Sequence, residues 1–213
     1  MIKVVLTQNS AKQEAMAKYM KNQFPFAGIS APLRKSQSKE MLKESKTWPI
    51  QEVLSEVKRY YALESREYQY IAIDLLQQNI KRLSYEEFAP LFYLVTEKAW
   101  WDSVDSLRAV ISRWCLVNPE KFDLVFQHFT TSENFWNRRV AINLQLGYKE
   151  KTQTNYLQAA IVQDIDTNEF FIQKAIGWSL RDYSKSNPAW VRKFILETPN
   201  LSSLAVREGT KYL

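Results

Sequence analysis

The sequence predicts an all-α protein, a solenoid of stacked antiparallel helix pairs. Three observations carry that expectation. Apolar residues recur at spacings of three and four, as at Ile71, Leu75, Leu76 and Leu83, rather than in the alternation of half-buried strands. Proline and asparagine punctuate the chain where helices would begin. Small residues recur at Ala72, Ser106, Ala141, Ala175 and Gly209, separated by 34, 35, 34 and 34 positions.

The elements can be taken in order. The apolar run in MIKVVLTQNS is too short for a signal peptide. Tyr19, in KYMKNQFPF, falls on the first helix as an amphipathic residue. In SAPLRK and TWPIQEVL, Pro32 and Pro49 stand at helix starts, where a missing N–H costs nothing. AWWDSVDSLR reads as an amphipathic helix that carries two adjacent tryptophans and two carboxylates. NPEKFDLVF makes Asn118 an N-cap with Pro119 at the first helical position, and NPAWVRKFI repeats this with Asn187 and Pro188. Aligning REYQYIAIDLL, WDSVDSLRAVI, WNRRVAINLQL, FIQKAIGWSL and LAVREGTKYL brings the small residues into register. The next position then reads Ile73, Leu107, Ile142, Ile176 and Thr210. Small residues allow close helix approach, and the following position faces the shared core. The period fits a helical hairpin stacked on its neighbours. The Trp, Leu-Gly and Tyr pattern of tetratricopeptide repeats is absent. The expectation is therefore a HEAT-like α-solenoid forming one domain over residues 1–213, against the alternative of an irregular bundle with accidental register.

Composition narrows the class. The chain has 213 residues, 46% hydrophobic and 24% charged, which is globular and long enough for a substantial core. Its single cysteine, Cys115, permits no intrachain disulfide and points to a reducing cytoplasm. No stretch is long and apolar enough to span a membrane. With Gly 4 in the whole chain, Gly-rich phosphate loops and hairpin-rich β folds are disfavoured. A net charge of +6 invites a polyanion without choosing among DNA, RNA and membrane surface.

The position before each small residue reads Ile71, Asp105, Val140, Lys174 and Glu208, and one further back Tyr70, Val104, Arg139, Gln173 and Arg207. Unpaired buried charge is costly, so these positions are expected to line an open, concave, basic face. Trp101 and Asp105 share a helical face, as do Lys174, Trp178 and Arg181, while WNRRVAI presents Arg138 and Arg139. Arginines would meet phosphates, and rings would pack on sugars or bases. Each residue also has a plainer reading. Trp114 and Trp190 are expected in the core, and Trp101 and Trp178 are divided between core and platform. Asp105 is either a reactive carboxylate or an ion-pair partner of Arg108 or Arg139. Arg138 and Arg139 are either DNA contacts or a solvated face. His128 has no ligand cluster at metal spacing, so neither metal nor cofactor is expected.

At these residues the sequence resembles the AlkD-type DNA alkylation-repair glycosylases, a HEAT-like repeat family. The segments that carry the likeness are YMKNQFPFAGISAP, WWDSVD, WNRRVAINLQLGYKEKT, FFIQKAIGWSLRDYSKSNP and LSSLAVREGTKYL, which together span essentially the whole chain. The resemblance implies excision of 3-methyladenine and 7-methylguanine from duplex DNA without base flipping. It implies Asp105 as catalytic aspartate, Trp101 and Trp178 as sugar-contacting rings, and Arg139 as the groove arginine. Tyr19, Phe171 and Arg181 match further DNA-contacting positions, and Arg138 and Lys174 are candidates beside them. A monomer with no cofactor is expected.

The chemistry is coherent with so sparse a set. A purine alkylated at N3 or N7 is cationic and leaves neutral, so positive charge passes to the deoxyribose. A carboxylate stabilises that oxocarbenium-like ion, as in glycoside hydrolysis. Indole faces add on the order of 1–2 kcal/mol each when desolvated. Two other classes compete: a DNA-binding repeat protein without catalysis, which needs no such carboxylate between indoles, and a protein–protein scaffold, which would lack steep salt dependence toward DNA.

Overall fold

The computed structural model describes residues 2–213. Among them the chain forms twelve α-helices, joined by loops and short 3₁₀ turns, and no strand. It divides into two compact units, one ending at Phe88 and one spanning Ala89–Leu213.

The N-terminal unit contains α1 (Ser10–Tyr19), α2 (Ala31–Glu44), α3 (Ile50–Ala62), α4 (Arg66–Asn79) and the single turn α5 (Tyr85–Phe88). Helix α4 packs against both α2 and α3, burying Ile71, Leu75 and Leu76. Pro32 in the first turn of α2 and Pro49 just before α3 begin their helices as expected. The segment ahead of α1 buries Val4 and Leu6, whose N–H groups donate to the Tyr60 hydroxyl at 2.8 Å and the Tyr68 hydroxyl at 3.1 Å. The loop entering α2 is anchored by buried Glu67, whose carboxylate accepts the N–H groups of Ala27, Gly28 and Ile29 at 2.8, 2.9 and 3.3 Å. Gly28 has φ +82°, and a Cβ there would lie 2.2 Å from the Asn9 carbonyl oxygen, so this turn admits only glycine.

The C-terminal unit contains α6 (Trp101–Val117), α7 (Phe122–Thr130), α8 (Phe135–Asn143), α9 (Thr154–Gln163), α10 (Phe170–Ser184), α11 (Pro188–Glu197) and α12 (Ser203–Gly209). Helices α6, α8, α10 and α12 lie side by side, each packing on the next. Helices α7 and α9 pack against α8, and α11 against α10, as a second layer. This is a stack of helix pairs, and the sequence interval is the step from one helix of the first layer to the next. Ala141 and Ala175 are buried where helices meet, and a Cβ on Gly209 would come within 3.0 Å of Leu180 Cβ. Buried polar groups stitch the layer: Ser179 Oγ lies 2.8 Å from the Ile142 carbonyl oxygen, and the Tyr148 hydroxyl donates to Ser112 O at 2.6 Å.

Asn187 caps α11 as expected, its Oδ1 accepting the Trp190 N–H at 3.0 Å. Asn118 does not cap the helix that follows it. Its Nδ2 donates to Trp114 O at 2.9 Å and closes α6, while Pro119 opens a 3₁₀ turn and α7 starts at Phe122. An asparagine amide both donates and accepts, so it satisfies the carbonyl end of one helix as readily as the N–H end of another. Trp114 is core, but Trp190 is only half-buried, stacked on Phe194 with centroids 5.0 Å apart.

Candidate functional site

Helix α6 carries Trp101, Asp105 and Arg108 at spacings of four and three, which sets all three on one face. From α8, the neighbouring helix of the layer, Arg139 reaches that face. Its Nε and Nη2 donate to the two Asp105 oxygens at 2.9 Å each, and its Nη1 donates to the carbonyl oxygen of Phe171 in the first turn of α10. This two-pronged pairing fixes both distance and plane. The Arg139 side chain is 6% exposed and that of Asp105 19%, so the negative end of the ion pair faces outward.

Helix α10 contributes Lys174, Trp178 and Arg181, again on one face. The guanidinium carbon of Arg108 sits 5.7 Å from the centroid of the half-buried Trp178 ring, which joins α6 to α10 across this site. Lys174 Nζ and Arg181 Nη1 converge on Glu208 of α12, each donating to one carboxylate oxygen at 2.9 Å. The Lys174 hydrogen bond, helped by the charges of Lys174, Arg181 and Arg207, holds the Glu208 carboxyl below its ordinary pKa.

The remaining expected residues have other surroundings. Arg138 ties α8 to the end of α9, its Nε 2.9 and 3.1 Å from the Asp164 oxygens and its Nη1 bonded to Ser132 O and Glu133 O. The Phe171 ring joins an aromatic cluster, 5.2 Å from Trp100 and 4.9 Å from Trp136. Tyr19 closes α1 in the N-terminal unit, 69% exposed, beside a hollow of about 330 Å³ lined also by Met16, Met20, Phe26 and Tyr70. His128 packs between Phe92 and Phe129, and burial pushes its pKa down.

The expectation that the positions ahead of the small residues line an open face needs correction. Asp105, Lys174 and Glu208 are partly exposed, but Ile71 and Val140 are buried. One step back, Arg139 and Gln173 are buried as well. The core tolerates them because they are hydrogen-bonded: Arg139 as above, and Gln173 to Thr167 O at 2.7 Å and to the Ser202 hydroxyl at 2.6 Å. Sequence reasoning missed Glu208 as the shared acceptor of Lys174 and Arg181, and Asp164 as the partner of Arg138. A signal for the first was present. Asp105–Arg139 and Lys174–Glu208 are both opposite charges 34 residues apart, about one repeat, on neighbouring helices.

A sequence profile of the family described as DNA alkylation repair enzyme matches residues 5–213. A solved structure described as a predicted DNA alkylation repair enzyme from Enterococcus faecalis superposes with a TM-score of 0.97 at 51% identity, covering 99% of each chain. The crystal structure of smu.31 from Streptococcus mutans UA159 superposes at 0.65 with 18% identity, over 86% of this chain and 96% of that one, a likeness of fold alone. Among curated proteins none matches significantly.

Proposed function

The chain belongs to the DNA alkylation repair enzyme family, and from that premise we propose that it is a DNA glycosylase that excises cationic alkylated purines, 3-methyladenine and 7-methylguanine, from duplex DNA. The observation that carries this reading is an outward-facing carboxylate, Asp105, aimed by Arg139 on the helix face that also bears Trp101, with Trp178 linked to it through Arg108.

In this mechanism Trp101 and Trp178 hold the deoxyribose of the lesion. Asp105 faces C1′ as the glycosidic bond lengthens, the base departs neutral, and the carboxylate and indole faces stabilise the charge left on the sugar. Asp105 then positions the water that completes hydrolysis. No general acid is required, because the leaving base needs no proton. Selectivity comes from the lability of the charged bond and from backbone contacts, so the base is not flipped. Arg139 acts at this site by orienting Asp105. The partial exposure of Lys174 and Arg181 supports them as phosphate contacts, with Tyr19, Phe171 and Arg138 as further contacts to the duplex. The protein works as a cytoplasmic monomer without a cofactor.

A non-catalytic DNA-binding protein is the second reading, favoured by the engagement of both Asp105 oxygens with Arg139. The two are separated by incubating wild type and Asp105→Asn with duplex containing 7-methylguanine and quantifying released base by chromatography. The glycosylase reading expects Asp105→Asn to lose at least about a hundredfold in single-turnover rate while retaining duplex affinity. Equal release by both proteins removes Asp105 from the chemistry.

A further inference from the structure

Around the site most cations already have a carboxylate. Arg138 is paired with Asp164, Arg139 with Asp105, and Lys174 and Arg181 with Glu208. Arg108 differs. It is 9% exposed, and its side-chain Nε is buried without a hydrogen-bond partner. Its guanidinium carbon lies 5.7 Å from the centroid of the Trp178 ring, a cation–π neighbour that supplies no acceptor for the Nε–H. Asp105 and Asp182 lie near enough to act on its charge and Arg139 opposes it, while burial, the largest influence, pushes its pKa below the ordinary arginine value.

A buried guanidinium N–H without an acceptor is unfavourable in the free protein. The arrangement is accounted for if the acceptor arrives from outside. On the glycosylase reading, on which this inference rests, the sugar held between Trp101, Trp178 and Asp105 carries a phosphate on either side. We infer that Arg108 is an unassigned phosphate-binding residue of this site: its side-chain N–H groups take a DNA backbone phosphate next to the deoxyribose, beside the Trp178 ring. The fork of donors matches two phosphate oxygens, which a point-charge lysine does not. The bound phosphate also offsets a positive charge that, left bare one turn from Asp105, would oppose a cationic sugar.

The test measures binding of unmodified and 7-methylguanine duplexes to wild type, Arg108→Met and Arg108→Gln between roughly 50 and 200 mM salt, alongside thermal unfolding. Losing one phosphate contact lowers the slope of log affinity against log salt by about 0.9. Affinity at low salt falls about tenfold, equally on both duplexes. Thermal stability stays level or rises, because a buried cation whose Nε–H lacks an acceptor has been removed. Unchanged slope and affinity in both variants overturns the inference while leaving the glycosylase reading intact. So does a fall in Tm of more than about 10 °C in both, which makes Arg108 a structural residue. If wild type neither binds duplex nor releases 7-methylguanine, the glycosylase reading fails, and this inference with it.

Discussion

At the scale of single residues, the Asp105–Arg139 pair joins stability to chemistry. Both carboxylate oxygens are held by one buried guanidinium, which also donates to the backbone carbonyl oxygen of Phe171 on the next helix. Removing the guanidinium leaves a partly buried carboxylate uncompensated and a carbonyl without its donor. Arg139→Ala should therefore lower unfolding free energy by about 3 kcal/mol in urea titration. Base release should fall with it, since Asp105 loses its aim. A variant of unaltered stability would mean that water substitutes for the guanidinium at little cost. Asp105 itself was legible as either a reactive group or an ion-pair partner. The structure selects Arg139 over Arg108 as its hydrogen-bonded partner, a choice that residue spacing on one helix cannot make.

At the scale of elements, the contact between α10 and α12 shows how small residues and charge pairing support each other. A Cβ on Gly177 would lie 2.5 Å from Glu208 Cβ and 3.1 Å from the Ala205 carbonyl oxygen, both on α12. Gly177→Ala gains about 1 kcal/mol of helix propensity but must push backbone aside, at about 1–3 kcal/mol. A net loss of about 1 kcal/mol in denaturant unfolding is expected, and a gain would show that α12 yields freely. Glu208 also makes the contact acid-sensitive. Its folded-state pKa is lowered below that of an ordinary glutamate. The stabilisation is therefore present above that value and is lost as pH falls through the folded-state pKa. Glu208→Gln should be less stable than wild type at neutral pH, and the difference should shrink in unfolding measured below about pH 4. A gap that persists in acid would assign the loss to packing rather than charge.

At the scale of the whole molecule, the count of 29 lysines and arginines overstates the cations left to meet a polyanion. Several arginines and lysines are engaged with carboxylates of the protein itself. Duplex affinity should still fall steeply with salt, by roughly a hundredfold between about 50 and 200 mM, the slope of about four phosphate contacts. Affinity insensitive to salt would favour a protein–protein scaffold. Much of the fold could be read in advance: Pro32, Pro49 and Pro188 start helices, Trp114 is core, and small residues mark helix contacts at Ala141 and Ala175. The errors were local ambiguities. Asn118 could serve either of two helix ends, and Arg139 was placed on an open face because its carboxylate lies on another helix.

The amino-acid sequence alone determined the helical class, the starting points of several helices and the repeat that aligns them. Those properties arise from interactions within a few residues, where spacing and side-chain type suffice. Only the tertiary structure decided which charges find partners, which stay half-exposed and that the Arg108 Nε is buried without an acceptor. Hydrogen bonds and desolvation depend on what lies within a few ångströms in space, and here that neighbour is usually one full repeat away along the chain.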